Sequence, residues 1–291
     1  MPAGLIGLGN MGRGMALSLL RKGHAVLGFD LSAETRAARA AEGIAIADDL
    51  PALLSACDIL ILSLPHAAAV RAVIEGSAGV LAHAAPGTLV IDTTTSEPAV
   101  TRELACKLRA AGHAMLDAPV SGGPRGALAG TMTMVVGGEA ADLARAMPLL
   151  EAMSAKRVHV GPSGAGHVTK LVNNLLCGAH LVLLGEAMRL IEEAGLDVRT
   201  VFSGINAGSG RSGVSEVNLP NWIANGAFNS GFSMGLMRKD IRLALQLMDE
   251  LDIAPPLAKA VAGIWAKSAE ALPDAEDFNR IVTLRNPERG A

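Results

Sequence analysis

Gly4-Leu5-Ile6-Gly7-Leu8-Gly9-Asn10-Met11-Gly12 reads as a short apolar strand, a glycine turn and the start of a helix. That helix carries Met11, Met15, Ala16, Leu19 and Leu20 on one face and closes at Gly23. A second strand is expected over 25–30. Apolar strand-like runs then recur at 44–47, 59–64, 88–92, 115–118 and 131–136, and briefly at 157–160. Helical patterns fill most of the gaps, as at 67–74, 99–111 and 141–153. Continuous apolar strands alternating with helices are the pattern of a mainly parallel sheet covered on both faces.

Gly7-x-Gly9-x-x-Gly12 lies where a dinucleotide fingerprint belongs, between first strand and first helix. Glycines there permit a tight turn and let a pyrophosphate approach the helix N-terminus. Alone the motif is weak, because glycine turns are common. Asp30 closes the second strand 23 positions after Gly7, near the spacing of about 20 at which an acidic residue meets the ribose. Its carboxylate would accept the ribose hydroxyls and repel a 2′-phosphate. Leu31 and Ser32 follow in place of an arginine, so NAD is expected over NADP. Leu64-Pro65 and Thr95 close further strands on the same face, where an open α/β sheet binds its ligands. Thr95 could offer a hydroxyl, although Ser96 before Pro98 fits a plain helix cap.

A later strand ends in Asp117-Ala118-Pro119-Val120-Ser121-Gly122-Gly123. A hydroxyl followed by two glycines can align backbone N–H groups as a small anion cradle, with a substrate carboxylate as guest and Arg125 nearby. The same glycines serve equally a loop that merely turns. Gly161–Gly166 then leads into a helical pattern over 168–193, about 40 Å long. Its middle, 175–191, is apolar on nearly every face, which predicts a helix covered by protein all round. Lys170 and Asn174 share a face one turn apart. The helix N-terminus and burial both disfavour a charged lysine. A solvated lysine titrates near about 10.4, and a base useful near neutrality needs roughly 7–8. Lys170 is therefore the candidate base. His167, in the same approach, reads as a packing or capping residue.

The 291 residues suffice for two domains, with half of them apolar and 18% charged, which excludes disorder. A net charge of −3 without a basic run argues against nucleic acid as a partner. Cys57, Cys106 and Cys177 fit small buried hydrophobes, not disulfides or a metal site. The span 171–191 is apolar, but it holds Asn173, Asn174, His180, Glu186 and Arg189, so a core helix is favoured over a membrane span. The chain runs straight into its first strand with no room for a signal peptide, and a cytoplasmic location is expected.

Together, Ile6-Gly7-Leu8-Gly9-Asn10-Met11-Gly12, Asp117-Ala118-Pro119-Val120-Ser121-Gly122-Gly123, Gly164-Ala165-Gly166-x-x-x-Lys170-x-x-x-Asn174 and Lys239-Asp240 resemble the β-hydroxyacid dehydrogenase family, in its order, from about residue 4 to the region of 278. That family includes 3-hydroxyisobutyrate dehydrogenases and tartronate semialdehyde reductases. The resemblance implies a doubly wound Rossmann-type domain (1–163), a long interdomain helix (164–194) and an all-α C-terminal domain (195–291). It implies Lys170 as the catalytic lysine, Asn174 as the amide that positions the substrate, and Ser121, Gly122 and Gly123 as the carboxylate site. By the same resemblance Gly7, Leu8, Gly9, Asn10, Met11, Gly12, Asp30, Leu64 and Pro65 line the cofactor, with Thr95 and Lys239 at its nicotinamide end. Lys239-Asp240 by itself reads as a surface pair. Pro124-Arg125 departs from the familiar pattern and leaves the particular acid open.

Beyond 195 the alternation stops. Helices are expected at 198–205, 237–251 and 257–271, with a loop-rich stretch at 214–235 and a polar, loose tail from 285. These helices are too few to cover the long one, so a homodimer or homotetramer is expected. The activity expected is reversible oxidation of a 3-hydroxy acid to its semialdehyde. Tartronate semialdehyde reduction is the alternative, and a non-catalytic dinucleotide module is the rival of another class. Imine reductases share the architecture but usually lack the lysine, and the 6-phosphogluconate enzymes need a longer C-terminal half.

Overall fold

A computed structural model describes residues 1–284, so the tail read as loose from 285 lies outside the described residues. The chain divides into two compact units, Met1–Lys170 and a second beginning at Leu171. The first alternates strand and helix: β1 (Ala3–Ile6), α1 (Asn10–Arg21), β2 (Val26–Phe29), α2 (Ala33–Ala41), β3 (Ala45–Ile46), α3 (Leu50–Ala56), β4 (Ile59–Leu62), α4 (Ala67–Glu75), α5 (Val80–His83), β5 (Leu89–Asp92), α6 (Pro98–Ala110) and β6 (Ala114–Asp117). It continues with β7 (Val120–Ser121), α7 (Gly123–Ala129), β8 (Met132–Gly137), α8 (Ala140–Met153) and β9 (Ser154–Gly161).

The sheet runs β3-β2-β1-β4-β5-β6-β8-β7, with β9 paired to β8. Strands β1 to β6 are parallel, in the 3-2-1-4-5-6 order whose switch point lies between β1 and β4. The far edge departs from the expected parallel pattern, because β8 runs antiparallel to both β6 and β7. Period-2 alternation divides the strand residues between two cores. Leu5, Ile61, Ile91 and Leu116 pack with Met15 and Leu19 of α1 and Leu150 of α8. Ile6, Leu62, Val90 and Met115 pack with Leu54, Val70 and Leu104 of the opposite layer. Each such fully buried side chain contributes about 1.5–3 kcal/mol. Residues 120–129, read as loop, form the short strand β7 and helix α7. Gly14 permits this, since a Cβ there would lie 2.7 Å from the Leu128 backbone nitrogen.

Helix α9 (Ala165–Glu193) begins in the first unit and continues into the second. The second unit adds α10 (Val198–Ala207), α11 (Met234–Glu250) and α12 (Pro256–Lys267), with short 3-10 turns at Ser268–Glu270 and Phe278–Thr283. The stretch read as loop-rich holds a π-helical segment, Val214–Ile223. Pro220 inside it lacks the N–H of a regular helix, and the wider turn still closes, with the Ala224 N–H donating to the Leu219 carbonyl. Trp265 of α12 is fully buried and its Nε1 donates to the Gly178 carbonyl at 3.1 Å, fixing α12 on α9. Within one chain α9 is not covered all round, in line with helices too few to cover it: Val172, Leu176, Leu183 and Leu190 are 44, 54, 54 and 72% exposed. Cys57 is buried as expected, whereas Cys106 is exposed.

Two carboxylates lie fully buried at strand ends, Asp92 after β5 and Asp117 after β6. Asp92 Oδ1 accepts the Thr94 N–H at 2.9 Å, while Oδ2 has no hydrogen-bond partner among the described residues. Burial pushes the Asp92 carboxyl above its ordinary 3.8, against the hydrogen bonds from Thr94. A carboxyl raised on folding contributes stability below its unfolded value, and that stability is lost as pH rises through the folded one.

Asp92→Asn keeps the acceptor for Thr94 and removes the charge. It should match the wild-type melting temperature near pH 4 and exceed it at pH 8 by roughly 2–4 °C. A lower melting temperature at pH 8 would overturn this assignment. At Gly185 a Cβ would lie 2.9 Å from Cα and 3.0 Å from the carbonyl oxygen of Val282, and backbone cannot swing aside. Gly185→Ala gains about 1 kcal/mol of helix propensity but pays about 1–3 for overpacking. Its melting temperature should fall, and a rise would show that the Phe278–Thr283 turn yields freely.

Candidate active site

The glycine loop is built by steric necessity. Gly7 has φ +92°, and a Cβ there would lie 2.3 Å from the Ser63 carbonyl oxygen. A Cβ on Gly12 would meet the Gly7 carbonyl oxygen at 1.9 Å, so α1 can start this close to β1 only with glycine. Gly9 is the N-cap of α1, supplies no side-chain cap, and would place its Cβ in open space. Free helix N–H groups beside an open approach suit a pyrophosphate. Asn10 and Met11 form the first turn, while Leu8 is buried as an anchor.

Asp30 sits where its spacing places it. Its Oδ2 accepts the Leu8 N–H at 2.8 Å and Oδ1 the Ser32 N–H at 2.9 Å. A carboxylate has about four acceptor positions, so two remain for ribose hydroxyls. Sequence reasoning missed Arg36, whose guanidinium donates to the carbonyls of Asp30 (2.6 Å) and Leu31 (3.2 Å) and lies over the Phe29 ring. It is six positions on, on α2, outside the window in which an arginine was sought.

The ends of β4 and β5 are tied together. Thr94 Oγ1 accepts the Leu64 N–H at 3.1 Å, next to the exposed Pro65. Thr95 follows, half-buried. Ser96 is not the cap of α6 that its position suggested. Glu97 is the N-cap and makes no side-chain bond, while Ser96 is buried.

Ser121 lies on β7, opposite Thr133 of β8. Gly122 (φ +117°) and Gly123 (φ +60°) make the sharp turn into α7. Arg125 is exposed, one turn further on. Lys170, only 8% exposed, reaches Ser121 and donates from Nζ to Oγ at 3.2 Å. The structure thus brings together two residues 49 positions apart that the sequence proposed separately.

The start of α9 differs from its sequence reading. Asp117 Oδ1 accepts the Gly164 N–H at 2.7 Å and Oδ2 the His167 N–H at 2.9 Å. A buried carboxylate therefore offsets the partial positive charge of this helix end, which the sequence had set against Lys170. Asp117 was quoted only as part of a motif; its burial, which gives it this task, has no signal in the sequence.

In the second unit, Asn174 Nδ2 donates to Asp240 Oδ2 at 2.6 Å, and Asn174 Oδ1 accepts from Asn173 Nδ2 at 3.0 Å. Asp240 is 1% exposed and its Oδ1 lies 3.4 Å from Lys239 Nζ. Lys239-Asp240 is therefore not the surface pair that its sequence suggests, and Asp240 is a site residue that sequence reasoning missed.

Two family models cover the chain. Residues 2–161 match the NAD-binding domain of 6-phosphogluconate dehydrogenase, and residues 164–285 match the NAD-binding family of NADP-dependent 3-hydroxyisobutyrate dehydrogenase. A 2-(hydroxymethyl)glutarate dehydrogenase of Eubacterium barkeri is 36% identical over 97% of this chain and 93% of its own. A probable 3-hydroxyisobutyrate dehydrogenase of Mycobacterium tuberculosis is 37% identical over 96% of both. The solved structure of a 3-hydroxyisobutyrate dehydrogenase from M. tuberculosis with L-serine superposes with a TM-score of 0.91, at 36% identity over 98% of this chain and 99% of that one. The glycine loop, Asp30 and the lysine–serine pair lie on a chain that these proteins match over nearly its whole length, and the chain belongs to the β-hydroxyacid dehydrogenase family of NAD-dependent oxidoreductases.

Proposed function

We propose that this chain interconverts a small 3-hydroxy acid of the 3-hydroxyisobutyrate type and its semialdehyde, with Lys170 as general acid and base. The observation that carries the reading is the buried Lys170 amine 3.2 Å from Ser121 Oγ, beside the Gly122-Gly123 turn. Bound NAD would supply the hydride acceptor for the alcohol carbon. Gly9, Asn10, Met11 and Gly12 would hold its pyrophosphate at the start of α1, Gly7 and Leu8 would shape that loop, and Asp30 would hold its adenosine ribose. Leu64, Pro65, Thr95 and Lys239 are assigned to the cofactor on the family resemblance. Ser121, Gly122 and Gly123 hold the substrate carboxylate, which places the hydroxyl within reach of Lys170. As the neutral amine, Lys170 takes the hydroxyl proton; as ammonium, it returns that proton to the aldehyde oxygen in the reverse direction. Asn174 orients the substrate, and its amide is itself held by Asp240.

Lys170→Ala should lower kcat by about 10²–10⁴-fold while NADH still binds, read by its fluorescence. Wild-type turnover in that variant would remove Lys170 from the mechanism. A panel of 3-hydroxyisobutyrate, glycerate, L-serine and 2-(hydroxymethyl)glutarate, run with NAD and NADP in parallel, selects the acid. Failure of all of them at millimolar concentration would count against a 3-hydroxy acid.

The exposed stripe on α9 supports a homo-oligomer. Val172, Leu176, Leu183 and Leu190 recur at intervals of four, seven and seven and so share one helix face. Burying each large side chain gains about 1.5–3 kcal/mol, which a second copy of α9 can supply. The polar residues along α9, such as Glu186 and Arg189, support a cytoplasmic protein over a membrane span. Sedimentation should give a dimer or tetramer for the wild type and a smaller species for the double variant Leu176→Glu/Leu183→Glu. A wild-type monomer at micromolar concentration would refute the oligomer.

A further inference from the structure

We propose that His167 is a positioning residue that fixes the Thr94–Thr95 turn to the first turn of α9 and so sets where Lys170 stands. His167 is fully buried, and every polar atom of its backbone N–H and imidazole is engaged by a different element of the first unit. Its N–H donates to Asp117 Oδ2 at the end of β6. Its Nε2 lies 2.5 Å from the Thr94 carbonyl oxygen, just past β5. Its Nδ1 lies 2.7 Å from Thr101 Oγ1 on α6.

The tautomer follows from the partners. A carbonyl oxygen only accepts, so Nε2 carries the hydrogen. The Thr101 hydroxyl has a second acceptor in the Glu97 carbonyl, but at 3.3 Å, so its better bond is the 2.7 Å donation to Nδ1. Asp117 Oδ2, 4.0 Å from Nδ1, is taken up by the His167 N–H. The imidazole is thus a neutral Nε2–H bridge between α6 and the β5 turn.

What it bridges matters more than that it is buried. Thr94 is pinned at all three polar positions: its N–H to Asp92, its hydroxyl to the Leu64 N–H, and its carbonyl to His167. Leu64 and Thr95 are the residues assigned to the cofactor, and Lys170 follows His167 by three positions on the same helix face. One imidazole therefore links the cofactor-bearing strand ends to the base. This inference rests on Lys170 being that base. A misplacement of about 1 Å between reacting groups costs about 100-fold in rate.

The test compares His167→Gln, whose amide can still donate toward Thr94, with His167→Leu, which cannot, and adds Thr101→Val. All are assayed below their melting temperatures. His167→Leu should lower kcat about 100-fold with the KM for NAD and NADH fluorescence unchanged, while His167→Gln recovers at least about 10-fold of the loss. Thr101→Val should lie between Leu and wild type. In the wild type under the assay conditions, the ¹⁵N spectrum of labelled histidine should show one imidazole with Nε2 protonated and Nδ1 bare. Equal kcat for the Gln and Leu variants, or a doubly protonated ring, would overturn the proposal. If His167→Leu fails to fold, wild-type kcat in Thr101→Val does so instead. Failure of the Lys170 reading would appear separately, as full turnover of Lys170→Ala.

Discussion

The carboxylate of Asp117 receiving the Gly164 and His167 N–H groups is the contact on which the functional half of the first unit depends. It satisfies donors that the start of a helix otherwise leaves orphaned, in a place water does not reach. It also anchors the end of β6 to the beginning of α9. Lys170 then meets Ser121 because β7 leaves β6 three residues later and turns back along β8. A side chain on a helix is held more rigidly than one on a loop, and here both members of the Lys170–Ser121 pair stand on regular structure.

The cofactor side is governed by close approach instead. Gly7 and Gly12 leave no volume for a side chain between β1, Ser63 and α1, and Gly9 leaves open space facing outward. Asp30 contributes twice. Its two accepted backbone N–H groups hold the glycine loop to the end of β2, and its remaining acceptor capacity is what the proposed ribose contact would use. Arg36, bonded to the carbonyls of the same turn, adds a positive charge that the residues next to Asp30 do not reveal.

In the second unit a polar contact and an apolar surplus stand side by side. Asp240 orients Asn174 at the cost of burying a carboxylate, which is offset by the Asn174 amide and by the ion pair with Lys239. On the opposite account, α9 exposes a leucine stripe that its own chain does not cover. A helix apolar on nearly every face needs cover on every face, and the short helices that follow it in the sequence are too few to supply that cover within one chain.

Much of this protein was legible in its residues. Period and punctuation located β1 to β6, and glycine spacing with an acidic strand end located the dinucleotide site, because both depend on local backbone geometry. Lys170, Asn174 and Ser121 could be named because their types and order match a family. What local order does not encode is burial and the partner across space. The charge of Asp117 at the foot of α9, the Nε2 bond of His167 and the concealment of Asp240 join residues 47, 73 and 66 positions apart, and the antiparallel β7–β8 edge is likewise settled by pairing across space. A side chain's chemistry is written in its type, but whether it stands charged, bonded or bare is decided only when the chain has closed around it.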